Sequence, residues 1–167
     1  MRPNAKAPLS WGGEAKRGDD MALKQISIFL ENSPGRLLDV TKALGKAGIN
    51  MRALSLADTA GFGVLRLLVS DAAAARKVAM EKHWPARVDD VIAIKIPDTP
   101  GSLAQILEPL RKAKVDVEYM YAFTGFSTHQ AVMIFGFKDV KRAKEVLAES
   151  GAELLNASQF AKLSEEG

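Results

Sequence analysis

Between residues 25 and 30 the chain alternates polar and apolar positions, and a period of two predicts a strand with one buried face. From 36 to 46 the period lengthens. Leu37, Val40, Leu44 and Ala47 fall on one helical stripe, and Gly48 stands where a left-handed cap is needed. Strands follow at 49–57 and 64–69, joined by a turn around 58–63. Asp71 then offers an N-cap to an alanine-rich helix running to about residue 82. A short strand at 86–88 leads almost without a linker into another at 91–95. The same order then returns: helix 102–112, strands 115–123 and 131–137, helix 139–149, strand 152–155. The pattern therefore predicts β-α-β-β-α-β twice, each a split βαβ unit with two helices on one face of an antiparallel sheet.

The two runs are copies. Ile26-Ser27-Ile28-Phe29-Leu30-Glu31-Asn32-Ser33-Pro34-Gly35-Arg36-Leu37 returns as Ile92-Ala93-Ile94-Lys95-Ile96-Pro97-Asp98-Thr99-Pro100-Gly101-Ser102-Leu103. A repeat of roughly 66 residues is too long for a solenoid unit and about right for a small domain. One such unit leaves a sheet face and edge strands open, and the second copy supplies a partner for them. The copies differ at two places that matter for shape. Pro109 sits inside the second copy's first helix, where it removes a hydrogen bond and should kink it. Lys114 replaces the capping Gly48, which predicts a strained or differently shaped turn.

Composition then narrows the class. Cysteine is absent, which excludes disulfides, thiolate metal sites and cysteine nucleophiles. No apolar run approaches the length of a membrane span, and a net charge of +3 is too small and scattered to argue for nucleic acid. Residues 1–20 are rich in Pro, Gly and charge and show no periodicity. They read as a disordered leader without the apolar core of a secretory signal, so a cytoplasmic protein is expected. Met21 is an alternative start. The expected division is a leader or over-called start at 1–22, a first unit at 23–90, a second at 91–156 and a tail at 157–167.

The set Asn32-x-Pro34-Gly35-x-Leu37, a helix, then Gly48-Ile49-Asn50, inside a βαββαβ unit, resembles the ACT domain. The second copy matches as Asp98-x-Pro100-Gly101-x-Leu103 and Val115-Asp116. The resemblance covers essentially 23–155 and extends to small stand-alone tandem ACT proteins. It implies an α+β fold of two ferredoxin-like βαββαβ units, paired side by side, each with an antiparallel sheet and helices on one face. It also implies a protein that binds a free amino acid at domain interfaces and regulates amino-acid metabolism, with no catalysis, cofactor or metal of its own. A homodimer and an amino-acid metabolic enzyme are the expected partners, with no nucleic acid and no membrane. Ligand contacts are expected at Asn32, Ser33, Pro34, Gly35, Arg36, Leu37 and Asn50. Their counterparts in the second copy are Asp98, Thr99, Pro100, Gly101, Ser102, Leu103 and Asp116.

The residue types suit that chemistry. Pro34 and Gly35 shape a tight loop at a helix start, where free backbone N–H groups and the positive dipole end attract a carboxylate. Gly35 removes a Cβ from the ligand's path, and Asn32 offers both a donor and an acceptor. The bland reading is that Asn32 and Ser33 only cap the helix and Pro34 only starts it. If unlike halves pair, each site combines one Asn with one Asp. If like halves pair across a homodimer, one site is Asn/Asn and the other Asp/Asp, and two carboxylates would repel an amino acid's carboxylate. An Asn/Asn or mixed site is therefore expected to bind, with a doubly acidic site degenerate or differently used. Some family members carry a His two residues before the loop Asn, where this chain has Leu30 and Ile96.

Tyr119, Tyr121 and Phe123 share one strand face, which either walls an aromatic pocket or packs under the helices or the partner sheet. His83 and His129 are far apart in the repeat, so no metal site is expected. An RNA-recognition module shares the element order, and Gly61-Phe62-Gly63 echoes its third-strand signature. That match fails at Ala60, Val64 and Leu67, where a basic residue and stacking aromatics are required. An interaction scaffold without ligand is the other alternative. No phosphate-binding loop, nucleophile elbow or acid–base pair supports an enzyme.

Overall fold

The alternating and helical stretches become elements close to where the periodicity puts them in a computed structural model describing residues 22–58, 61–123 and 129–163. The first unit runs β1 (Leu23–Glu31), α1 (Arg36–Lys46), β2 (Met51–Asp58), β3 (Phe62–Val69) and α2 (Ala72–Glu81). After β4 (Ala86–Pro97) come α3 (Ser102–Lys112), β5 (Val117–Phe123), β6 (Gln130–Phe137), α4 (Val140–Glu149), β7 (Glu153–Leu155) and α5 (Ala157–Leu163). The expected leader, apart from Ala22, and part of the 58–63 turn lie outside the described residues.

Local chemistry sets the boundaries. Asp71 caps α2 by accepting from the Ala74 N–H at 2.9 Å, and Asp139 caps α4 from Arg142 N–H in the same way. α3 continues through Pro109, whose carbonyl still accepts from Ala113 N–H at 3.0 Å. Lys114 adopts φ 55°, the left-handed conformation that Gly48 takes at φ 71° in the first unit. The two turns therefore share a shape, with a side chain strained into one of them.

Where the pattern predicts two strands, 86–88 and 91–95, there is one. β4 is twelve residues long and belongs to both units. Only Asp89 and Asp90 intervene, and neither forces a turn. Asp89 is held by Arg87 at 2.7 Å and Asp90 by Lys24 at 2.6 Å. The N-terminal half of β4 pairs with β1, and its C-terminal half with β6 and β7. The result is one antiparallel seven-stranded sheet, ordered β2-β3-β1-β4-β6-β5 with β7 beside β4.

Three cores follow. Ile26, Ile28, Val40, Leu44, Leu65 and Leu67 pack under α1 and α2, and Ile92, Ile94, Leu110, Phe135 and Leu147 under α3 and α4. The third joins the sheet faces that carry no covering helix pair: Leu23, Ala53 and Leu68 of the first unit meet Val132 and Ile134 of the second, closed by Phe160 of α5. Each large apolar side chain buried there stabilises the pairing by about 1.5–3 kcal/mol over exposure. Tyr119, Tyr121 and Phe123 pack into this seam, which is the partner-sheet reading rather than the pocket wall.

Candidate functional site

The loop between β1 and α1 is built by two opposed demands. β1 must end and a helix must start within four residues, and Gly35 makes the corner at φ 91°. Gly101 makes the same corner in the second unit, also at φ 91°. Neither α1 nor α3 receives a side-chain cap. Glycine holds the N-cap position in both units, and Asn32 and Ser33 lie before it. The nearest substitute is a long backbone contact from Arg36 N–H to Ser33 O at 3.4 Å. The N–H groups of Leu37 and Leu38 come before the first intrahelical bond, made by Asp39 N–H to Gly35 O at 2.9 Å.

Asn32 turns instead to the end of β2. Its Nδ2 donates to Asp58 Oδ1 at 2.5 Å. Gly63 lies opposite, so near that an added Cβ would sit 3.4 Å from Asn32 Oδ1 and from Leu56 Cδ1. Arg36 is drawn sideways onto Glu31 at 2.9 Å. These groups enclose a hollow of about 350 Å³ lined by Leu30, Asn32, Pro34, Arg36, Leu37, Leu56 and others. The hollow thus combines the start of α1, the Glu31 carboxylate and an apolar floor of Leu30, Leu37 and Leu56, with Asp58 held beside it by Asn32. That arrangement can hold a zwitterion, its carboxylate toward the start of α1 and its ammonium toward the acidic side.

The structure gathers Asn32, Ser33, Pro34, Gly35, Arg36 and Leu37 at this hollow and leaves Asn50 elsewhere. Asn50 is exposed at the opposite end of β2, its backbone tied to Ser70 through N–H to Oγ at 3.0 Å and O from Ser70 N–H at 2.9 Å. In the second unit Asp98, Thr99, Pro100, Gly101, Ser102 and Leu103 form the matching loop. There the Thr99 and Ser102 hydroxyls meet at 2.9 Å, and Ser102 is buried. Asp98 and Asp116 are both exposed, again at opposite ends of their unit. Asp58 is the residue that sequence reading missed. It ends a strand within a turn, and only the Asn32 contact marks it.

Among the described residues no three His, Asp or Glu side chains gather to hold a metal ion, and no helix is long and apolar enough to cross a membrane.

Fold and loop define a pair of split βαβ units, each with a Pro-Gly corner before its first helix. A family model described as an ACT domain pair matches residues 21–164, and the chain belongs to that family. It is similar to protein BT0572 from Bacteroides thetaiotaomicron, at 41% identity and a TM-score of 0.78 over 85% of this chain and 97% of that one. It also resembles the ligand-free regulatory subunit of aspartate kinase from Thermus thermophilus, at 16% identity and a TM-score of 0.56 over 78% and 94% of the two chains. The corresponding subunit from Thermus flavus gives 18%, 0.53, 79% and 94%. These last two likenesses show a shared fold. No curated protein sequence matches.

Proposed function

We propose that this protein is a non-catalytic cytoplasmic regulator that binds a free amino acid at the loop before α1 and passes its occupancy to an enzyme of amino-acid metabolism. The observation that carries the reading is the uncapped start of α1 beside the Asn32–Asp58 pair. A helix start left open to solvent invites an anion, and the adjacent carboxylate invites a cation. A free amino acid supplies both. The likeness to regulatory subunits of aspartate kinase supports the enzyme partner.

Asn50 completes the site from a second copy. Among the described residues β2 is a sheet edge, paired only with β3. Two β2 strands laid antiparallel across a two-fold axis place the start of one against the end of the other, so Asn50 comes to Asp58, which holds Asn32. This is the Asn/Asn arrangement. The Asp98–Asp116 counterpart is the degenerate one.

The test is calorimetric titration of the twenty amino acids, with Asn32→Ala and Gly35→Val as variants. One or two amino acids should bind the native chain, and both variants should lose that binding while keeping the native circular dichroism. Equal affinity in both variants would sink the assignment. Nothing contacts the Gly35 Cβ position within 4 Å, so the Val side chain meets no protein atom there and acts through the backbone, which it strains at φ 91°.

A further inference from the structure

Between the two facing sheets lies a polar group that no core absorbs. Gln25, buried on β1, donates from Nε2 to Ser27 Oγ at 3.2 Å and to Tyr119 OH at 2.8 Å. Its Oε1 accepts from Tyr121 OH at 2.9 Å. Both amide hydrogens and the carbonyl are thereby engaged. One side of Tyr119 is set by Gly136, where an added Cβ would lie 2.2 Å from Cζ. The Arg66 guanidinium carbon stands 4.0 Å over the centre of the same ring. Strand register puts Arg66 in a row between Ser27 on β1 and Ser55 on β2, all three on one face.

The hydrogens in this group do not balance. Tyr119 oxygen accepts from Gln25, so its own proton is left to give. Ser27 oxygen also accepts and keeps its proton. Burial holds the Tyr119 hydroxyl above its ordinary range, so it stays a donor at neutral pH. Arg66 brings five N–H groups, hydrogen-bonds the Tyr119 hydroxyl with one of them, makes no ion pair among the described residues, and buries Nε without a partner. Asp89, beside Gln25 in register, is turned to Arg87 at 2.7 Å. The acceptors of this group are already taken, which leaves the Arg66 Nε–H and the Tyr119 and Ser27 protons in surplus, and a buried donor without an acceptor is costly.

We propose that this seam is a second ligand site, taking a small carboxylate whose two oxygens face the Arg66 guanidinium and whose remaining lone pairs accept from Ser27, Ser55 and Tyr119. The planar guanidinium matches a two-oxygen anion better than a spherical one. Arg66 and Ser55 are only half-buried, beside the β2 edge, which gives the ligand a way in. The site lies between the units rather than at either helix-start loop. It has no carboxylate free to hold an ammonium group, so it selects simple carboxylates where the loop selects amino acids.

The experiment titrates the full chain with sodium acetate and, at equal ionic strength, with sodium chloride. The readouts are the Arg66 Nε–H resonance by nitrogen-15 NMR and the melting temperature. Acetate should move that resonance saturably and raise the melting temperature, and chloride should do neither. Arg66→Gln should abolish both responses. Ser55→Ala keeps the charge and should weaken acetate by about tenfold or more, the loss of one hydrogen bond to an ion. Asn32→Ala should leave the acetate response whole, so this site and the amino-acid loop fail independently. If Arg66 only clamps Tyr119, acetate and chloride act alike, and that result overturns the proposal. Should Arg66→Gln fail to fold, an unchanged acetate affinity in Ser55→Ala overturns it instead.

Discussion

At the scale of single residues, Lys114 is strained and Tyr119 and Tyr121 are half-buried. Lys114 carries φ 55° where its counterpart is glycine. A side chain there opposes the backbone, so Lys114→Gly should stabilise the protein by about 0.5–1 kcal/mol, read as a higher denaturant midpoint with unchanged slope. The reverse exchange, Gly48→Ala, should cost a similar amount. The buried tyrosines set the alkaline limit. Burial is the leading cause that pushes both hydroxyls above their ordinary value of 10.0, Tyr121 further than Tyr119. A raised folded-state value leaves stability intact below pH 10. It is lost as pH rises beyond that, because the unfolded chain ionises first. Chemical denaturation at rising pH should show that loss begin near pH 10. Tyr121→Phe should lower stability at neutral pH and flatten the alkaline decline.

At the scale of elements, the clearest signals in the sequence were those that repeat within one turn or one strand. α1 and α3 begin and end where the apolar stripe and the Pro-Gly corner put them, because both are local. β4 was not legible as one strand, since its continuity depends on neighbours supplied by both units. The seam was hidden for the same reason: Gln25 meets partners 94 and 96 residues away. α5 was missed because its seven residues are too few to show a period. Its signal lay in Asn156 and Gln159, which bond each other's backbone N–H at 2.8 and 2.9 Å as a reciprocal cap. The helix docks through Phe160, 5.8 Å from Phe123 between ring centres, and through its Ala161 carbonyl, which accepts from Arg52 at 2.8 Å. Phe160→Ala should destabilise by about 3–5 kcal/mol. Hydrogen exchange should quicken in α5 and along the seam before it does under α1 and α2; uniform quickening would show that α5 is not a separate unit of closure.

At the scale of the whole molecule, the two edges of the sheet are not alike, and the difference bears on how copies of the chain would pair. β2 exposes Leu54 and Leu56 at 56% and 52%, with Leu37 and Leu38 of α1 also exposed. β5 exposes Glu118 and Ala122 along with Met120. Two apolar edges can bury each other; an edge carrying a glutamate would have to bury that charge in the same pairing. Self-association should therefore run through β2, bringing the amide pair Asn32 and Asn50 together and leaving Asp98 and Asp116 apart. Leu54 does not line the hollow, so Leu54→Lys places like charges at the dyad without touching the ligand's own walls. Sedimentation should show that variant as a monomer with a native melting profile, and its amino-acid affinity should fall because Asn50 no longer arrives from the second copy. Met120→Lys makes the matching change on β5 and should leave both dimer and affinity as they were. A dimer that survives Leu54→Lys, or dissociates with Met120→Lys, would place the self-contact elsewhere and remove Asn50 from the site.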